Sequence, residues 1–449
     1  MTETIMREGS MRELGILDLL RVFKTDKSAR ETFASKSLNA ARRIEPALKA
    51  FEYLPPDVHA SGHGPLNGIP VAVKDIIATS DMPTTNGSPI YKGHVPDADA
   101  WIVERLRNLG ATIIGKTVST EFAWRFPGPT VNPWNPKHTP GGSSSGSAAS
   151  VATGLVPLAL GTQTLGSIIR PAAFNGVVGY KPSFGAIPRS GVHPLSPSLD
   201  HLGFFARRID DVAYALSLLT ATSDTDLHGK PLPPFDISVE QGLPPVTAPR
   251  IAVARLALWS RAEPQQQKLF DDAIAKLKAA GASVEDIALP DIDQHAWESC
   301  ITILSSEASV IYDDLVARHC DCTSQPLKDL VKTGKSISAH DYLRAKHRQS
   351  ALRHGVESQM SDFDVILTLP AFGEAPEGLA YTGDAEYCAP WTLIGAPALS
   401  LPAGFGKKGL PLGIQVIGQY RQDLHTLSVA KWIESALAFR PGLAPLAGQ

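Results

Sequence analysis

The chain has 449 residues, of which 43% are hydrophobic and 19% charged, with a formal net charge of −3. That is ample core material for a globular protein, and it excludes a disordered or fibrous class. Near-neutral charge without a basic stripe offers nucleic acid nothing to bind.

No apolar run approaches the ~18 residues of a membrane helix, so no membrane partner is expected. The opening MTETIMREGSMRELG lacks the apolar segment of a secretory signal, which points to the cytoplasm. Four cysteines are too few for a disulfide framework, and HCDC at 319–322 has no CxxC partner. Neither a metal nor a cofactor is expected.

Residues 1–60 read as N-terminal helices. Ser10-x-x-Glu13 and Ser28-x-x-Glu31 fit the capping box. Ala34, Leu38, Ala41, Ile44 and Leu48 recur at three- and four-residue steps and make one apolar face, up to a stop at Pro55-Pro56. Residues 68–79 read as a strand, 98–109 as a helix stopped by Gly110, 111–117 as a strand and 156–160 as another. The Pro-rich, polar residues 223–248 read as a surface excursion. A strand–helix–strand unit follows over 251–254, 265–280 and 282–287, then late strands at 364–369 and 398–401. This alternation predicts an α/β fold: a mixed or parallel sheet with helices on both faces. There is no clean linker or repeat, so 1–449 is read as a single domain. Within it, residues 65–205 are read as the core segment, and 249–449 as the remainder of the sheet with its loops.

Residues 139–150, TPGGSSSGSAAS, have the composition of a flexible tether. Their flanks argue otherwise. The run feeds small residues ending at Gly154, then VPLAL, then the second turn GTQTLGS. As a phosphate loop it lacks the lysine of GxxxxGK[ST]. As a GxSxG elbow it would centre on Ser144, but NPWNPKHTP before it is no strand. His193 and His201, the available histidines downstream, read as ordinary surface residues. The remaining chemistry uses two serines and a lysine.

The segments GGSSSGS (141–147) and GTQTLGSIIRPAAFNGVVGYKPSFG (161–185) closely resemble the amidase signature family. GIPVAVKD around Lys74, GKTVSTEFA (115–123), TLIGAPALSLPAG and GLPLGIQVIG also look like its characteristic blocks, so the likeness runs from about residue 65 to 430. The resemblance implies a large α/β domain and three catalytic residues. Ser167 would be the nucleophile and Lys74 the base. Ser143, 69 residues after the lysine, would bridge them from a cis peptide bond. Backbone N–H groups of Thr164, Leu165, Gly166 and Ser167 would form the oxyanion hole.

The chemistry is sound on its own terms. A serine hydroxyl needs a base to take its proton. Lysine, with an ordinary pKa of about 10.4, serves only when its site keeps it neutral, and burial does that. Lys74 sits in an apolar strand segment, and strand alternation would turn Asp75 to the other face.

Two departures bear on substrate. Many members read GTDTGGSxRxP, whereas this chain reads GTQTLGSIIRP. Gln163 and the displaced Arg170 are similar to the bacterial malonamidase-like branch, where the arginine binds a substrate carboxylate. A guanidinium fork suits that task. The structural alternative has Arg170 paired to an internal acid. Leu165 would lean into or away from the acyl pocket, and leaning in would shrink it or make it more apolar. Gly142, Gln163, Trp124 and Arg170 form the candidate substrate-binding set. Arg125, Phe126, Trp134, Tyr381, Tyr387 and Trp391 are possible walls. Asn175 stands where a cysteine is frequent.

The expected activity is hydrolysis of a small linear amide to an acid and ammonia or amine through a Ser167 acyl-enzyme. A carboxylate-bearing amide such as malonamate is the leading substrate, and a homodimer the expected assembly. One alternative is an aryl-amide, carbamate or urea-derivative hydrolase. A second is the amidase subunit of an amidotransferase, against which the Gln163/Leu165 pair counts. A third is a binding protein with a dead site, against which the three catalytic residues count.

Overall fold

In the computed structural model, which describes residues 11–448, eleven strands join in one mixed sheet. In chain order they are β1 (Phe51–Tyr53), β2 (Pro70–Lys74), β3 (Thr112–Thr117), β4 (Leu158–Gln163), β5 (Val178–Lys181), β6 (His201–Ala206), β7 (Arg250–Ala254), β8 (Ser283–Ile287), β9 (Val365–Thr368), β10 (Ala398–Phe405) and β11 (Pro411–Ile417). Their order across the sheet is β1-β3-β2-β4-β6-β5-β10-β11-β9-β7-β8. β2 runs parallel to β3 and β4, and β7 runs parallel to β8 and β9. The remaining pairs are antiparallel.

Helices cover both faces, so the central strands are apolar throughout rather than alternating with polar residues. Alternation persists in which core each residue enters. Val71, Val73, Leu158, Leu160 and Phe204 pack into the larger apolar cluster. Their neighbours Ala72, Ala159 and Phe205 pack into a second cluster on the other face. That second cluster also takes in Ala34, Leu38, Ala41, Ile44 and Leu48, the predicted apolar face of the helix Lys27–Leu48.

The local signals at that helix differ from expectation. Its N-cap is Asp26, whose carboxylate accepts the Ala29 N–H at 2.8 Å, so Ser28 lies inside the first turn and is no capping-box residue. Ser10, of the other proposed box, lies outside the described residues. The helix ends at Lys49 in the left-handed region (φ 54°), before β1, and not at Pro55-Pro56.

The strand read over 68–79 is regular only at Pro70–Lys74, and the one read from Val156 runs as Leu158–Gln163. β1, β5, β6 and three helices that pack together, Pro290–Arg318, Gln325–Ser336 and Ala339–Gln359, had no counterpart in the sequence reading. Residues 223–248 carry no helix or strand beyond one isolated bridge, Ser238–Gly242. No described helix is long and apolar enough to cross a membrane.

Candidate active site

The Gly/Ser run is entirely buried and opens the helix Ser145–Ala152 between β3 and β4. Its hydroxyls stitch that helix to the strands. Ser144 Oγ donates to Thr162 O (3.2 Å) and accepts Thr162 N–H (3.3 Å). Ser145 Oγ donates to Val118 O at 3.2 Å, and Ser147 Oγ donates to Leu160 O at 2.8 Å. Ser144 is therefore committed to β4 and is no nucleophile of an elbow. Gly146 permits the close approach: a Cβ there would lie 2.1 Å from Ala50 O. Asn175 has a role here too. Its Nδ2 donates to Pro140 O and Pro171 O, both at 2.7 Å, tying the run to the helix Ile169–Asn175.

This packing sets Ser143 against the end of β2. The Gly142–Ser143 peptide bond is cis. Lys74 Nζ lies 2.6 Å from Ser143 Oγ and 2.8 Å from Thr162 Oγ1. Lys74 is wholly buried, and burial pulls its pKa well below the usual lysine value, with Asp200 opposing that shift. The next residue turns away as alternation requires: the Asp75 carboxylate takes the Thr85 N–H and hydroxyl and lies 3.8 Å from Lys116.

The turn after β4 completes the centre. Its carbonyls are taken up on the protein side. Leu165 O accepts the Thr392 hydroxyl (2.9 Å), Gly166 O accepts Arg170 N–H (3.0 Å) and Ser167 O accepts Ser144 N–H (3.4 Å). Among the described residues, the N–H groups of Leu165, Gly166 and Ser167 donate to no protein acceptor. A Cβ on Gly166 would meet Cys388 Cβ at 3.0 Å, so the turn presses against the helix Ala389–Leu393 and its preceding residue. Thr164, Leu165, Gly166, Ser167 and Ser143 all line one cavity of about 260 Å³. Free N–H groups beside a hydroxyl, with a neutral-leaning amine one serine away, can stabilise an oxyanion and move a proton.

Of the four candidate substrate residues, Trp124 and Arg170 line this cavity. Gln163 does not. Its Oε1 accepts the Ile168 and Ile169 N–H groups (2.8 and 3.0 Å), and its Nε2 donates to Thr392, so it braces the turn from within the protein. Gly142 contributes its carbonyl to Arg170. Arg170 is 6% exposed and holds Gly142 O (2.6 Å) and Thr382 Oγ1 (3.3 Å). No acid among the described residues pairs with it, and its Nε has no partner. The internal-acid reading of Arg170 therefore fails.

Tyr381 lines the cavity, whereas Tyr387 and Trp391 are buried behind it. Trp134 is committed elsewhere, donating to Asn175 O at 2.8 Å. His193 and His201 are not surface residues as expected: His201 is 3% exposed, and His193 packs among Tyr91, Phe122 and Tyr312. Sequence reasoning missed Asp384, Glu386 and Trp297 on the cavity wall. No motif marks them. All four cysteines are free.

The amidase family profile matches residues 26–427. The chain belongs to the amidase family. Its relatives include the A-subunit of glutamyl-tRNA(Gln) amidotransferase from Symbiobacterium thermophilum, 33% identical over 92% of this chain and 94% of the relative. The Thermus thermophilus counterpart is 34% identical, over 92% and 95%. Among solved structures, the Thermotoga maritima counterpart superposes with a TM-score of 0.84 at 30% identity, covering 94% of this chain and 95% of that one. A chain of a vestigial protein complex that reveals the evolutionary origins of an s-triazine catabolic enzyme gives 0.85 at 25% identity, over 95% and 99%. Of these relatives, those at 30% identity and above carry amidotransferase names. The malonamidase-like placement expected from Gln163 and Arg170 is corrected accordingly. A likeness over nine-tenths of the chain outweighs two local departures, one of which, Gln163, is spent on bracing the turn.

Proposed function

We propose that this chain cleaves the C–N bond of a small primary amide, releasing ammonia through an acyl-enzyme on Ser167. The observation that carries this reading is the 2.6 Å contact between the buried Lys74 amine and Ser143, on the rim of the cavity that also holds Ser167 and the free N–H turn. Neutral Lys74 takes the Ser143 proton as Ser143 takes that of Ser167. Ser167 Oγ attacks the amide carbon, and the N–H groups of residues 164–167 hold the oxyanion. The proton returns to the leaving nitrogen, the C–N bond breaks and ammonia departs. Water, deprotonated by the same relay, then releases the acid and restores Ser167.

The names of the relatives favour a component of an amidotransferase, with ammonia passed to a partner, over free-standing malonamate hydrolysis. The unpaired Arg170 in the cavity favours an amide that carries a carboxylate in either setting.

Ser167→Ala should lower ammonia release by more than ~10³-fold and abolish labelling by a fluorophosphonate. Persistent turnover would refute the nucleophile assignment. Arg170→Ala should raise KM for a carboxylate-bearing amide far more than for a neutral amide of equal size, and equal losses would refute the carboxylate role. Co-expression with candidate partner subunits, followed by purification, separates the two settings: a stable complex with raised ammonia transfer supports the amidotransferase, and full activity of the lone chain supports the hydrolase.

A further inference from the structure

Behind the turn lies a second cavity of about 150 Å³, whose walls include Thr162, Thr164, Asp200 and His201. Thr164 lines both cavities, whereas Asp200 lines only the second. The first residue of the turn is thus reached from two sides. Thr164 Oγ1 donates to Asp200 Oδ1 at 2.6 Å, a length typical of a hydroxyl on an ionised acceptor. Asp200 Oδ2 accepts the Leu195 and Ser196 N–H groups at 2.9 and 3.0 Å. Held by three donors, the carboxylate cannot rotate without losing a hydrogen bond.

We infer that Asp200 is a positioning residue for amide cleavage: from the side away from substrate it fixes Thr164, and with it the N–H array of residues 164–167. The inference rests on the reading that this array holds the oxyanion. Burial pushes the Asp200 pKa up, while Thr164, Arg189 and the two backbone N–H groups pull it back. Its charge also favours the ammonium form of Lys74, so it opposes the neutrality that burial imposes there.

The other ionisable groups around it do not duplicate these effects. Arg189 donates to Asp200 O at 2.9 Å and pairs with Asp226. Burial lowers the pKa of both imidazoles, His193 to about 4 and His201 well below its usual value. Glu307 is taken up by the Ser196 hydroxyl and the Ser198 N–H. Tyr312, on Pro290–Arg318, has its phenol pKa raised by burial and donates to Pro194 O.

The test is steady-state kinetics of wild type, Thr164→Val, Thr164→Ser and Asp200→Asn across pH, with folding checked by thermal melting. Losing an oxyanion donor outright costs about 10²–10³-fold, so misplacing the array through Thr164→Val should lower kcat by roughly 10-fold or more with KM little changed. Thr164→Ser should restore most of it. Asp200→Asn should lower kcat and move its acid limb to lower pH, because Lys74 loses an anion that favours its protonated form.

A Thr164→Val kcat within about two-fold of wild type, or an acid limb in Asp200→Asn that stays or moves up, overturns the inference. Should Asp200→Asn not fold, the Thr164→Val and Thr164→Ser pair decides alone, since it leaves the carboxylate in place. If wild type itself is not labelled at Ser167, the underlying reading has failed. A labelled wild type with an unaffected Thr164→Val sinks only the role of Asp200.

Discussion

Lys74 and Lys116 lie on neighbouring strands, β2 and β3, and neither is exposed. Val73 is the register partner of Lys116, and that one-residue offset sends the two lysines to opposite faces of the sheet. Lys116 faces Asp75, donates to Ile77 O at 2.6 Å and is held to a pKa of about 8 by burial against the pull of Asp75. Lys74 faces two hydroxyls and no carboxylate within ion-pairing reach, and its pKa falls well below the lysine value. Burial is common to both. Their neighbours differ: Lys116 has a carboxylate to pair with, whereas Lys74 has only two hydroxyls within hydrogen-bond reach.

The strongest way to break this comparison is Lys74→Met. It should lower kcat by about 10²–10⁴-fold, the usual contribution of a general base, while the protein melts close to wild type. More than a tenth of wild-type ammonia release would remove Lys74 from the relay.

The converse substitution, Lys116→Met, should act on stability. It leaves Asp75 buried without its cation, at a cost of about 3–5 kcal/mol in denaturant unfolding. The folded fraction should keep turnover within a few-fold of wild type. Adding Asp75→Asn should recover part of the lost stability, and a double variant no better than the single one would dissolve the pair.

The subtlest effect is on pH dependence. Neutral Lys74 accepts a proton and its ammonium form does not, so kcat/KM should fall as pH falls through the lowered Lys74 pKa. The acid limb should therefore lie far below 10.5, the ordinary lysine value. A limb near that value would mean that Lys74 is not the titrating base.

What was legible in the sequence follows from how much local chemistry each region carries. The small-residue run at 139–150 announced close packing, since eight residues without bulk serve little else in a globular chain. Lys74 was visible as a charge inside an apolar strand. The long helices were not visible. Pro290–Arg318 buries Ser299, Cys300, Ser305 and Ala308 among its few large apolar residues, and Ala339–Gln359 buries only Ala345, Gln349, Leu352 and Val356. Such faces leave no clean apolar period. β6, HLGFFA, lacks β-branched residues and gives a weak strand signal. Gln163 misled because bracing a turn and binding a ligand ask the same of an amide, and only its partners tell them apart.

The Thr392 hydroxyl on Leu165 O spans 227 residues. Lys74, Ser143 and Ser167 all lie within the first 167 residues, yet the tie that holds the turn, and the cavity wall from Tyr381 to Glu386, come more than two hundred residues later in the chain. A chain ending before residue 381 would hold Lys74, Ser143 and Ser167 but lack both the hydroxyl that ties Leu165 O and one wall of the cavity.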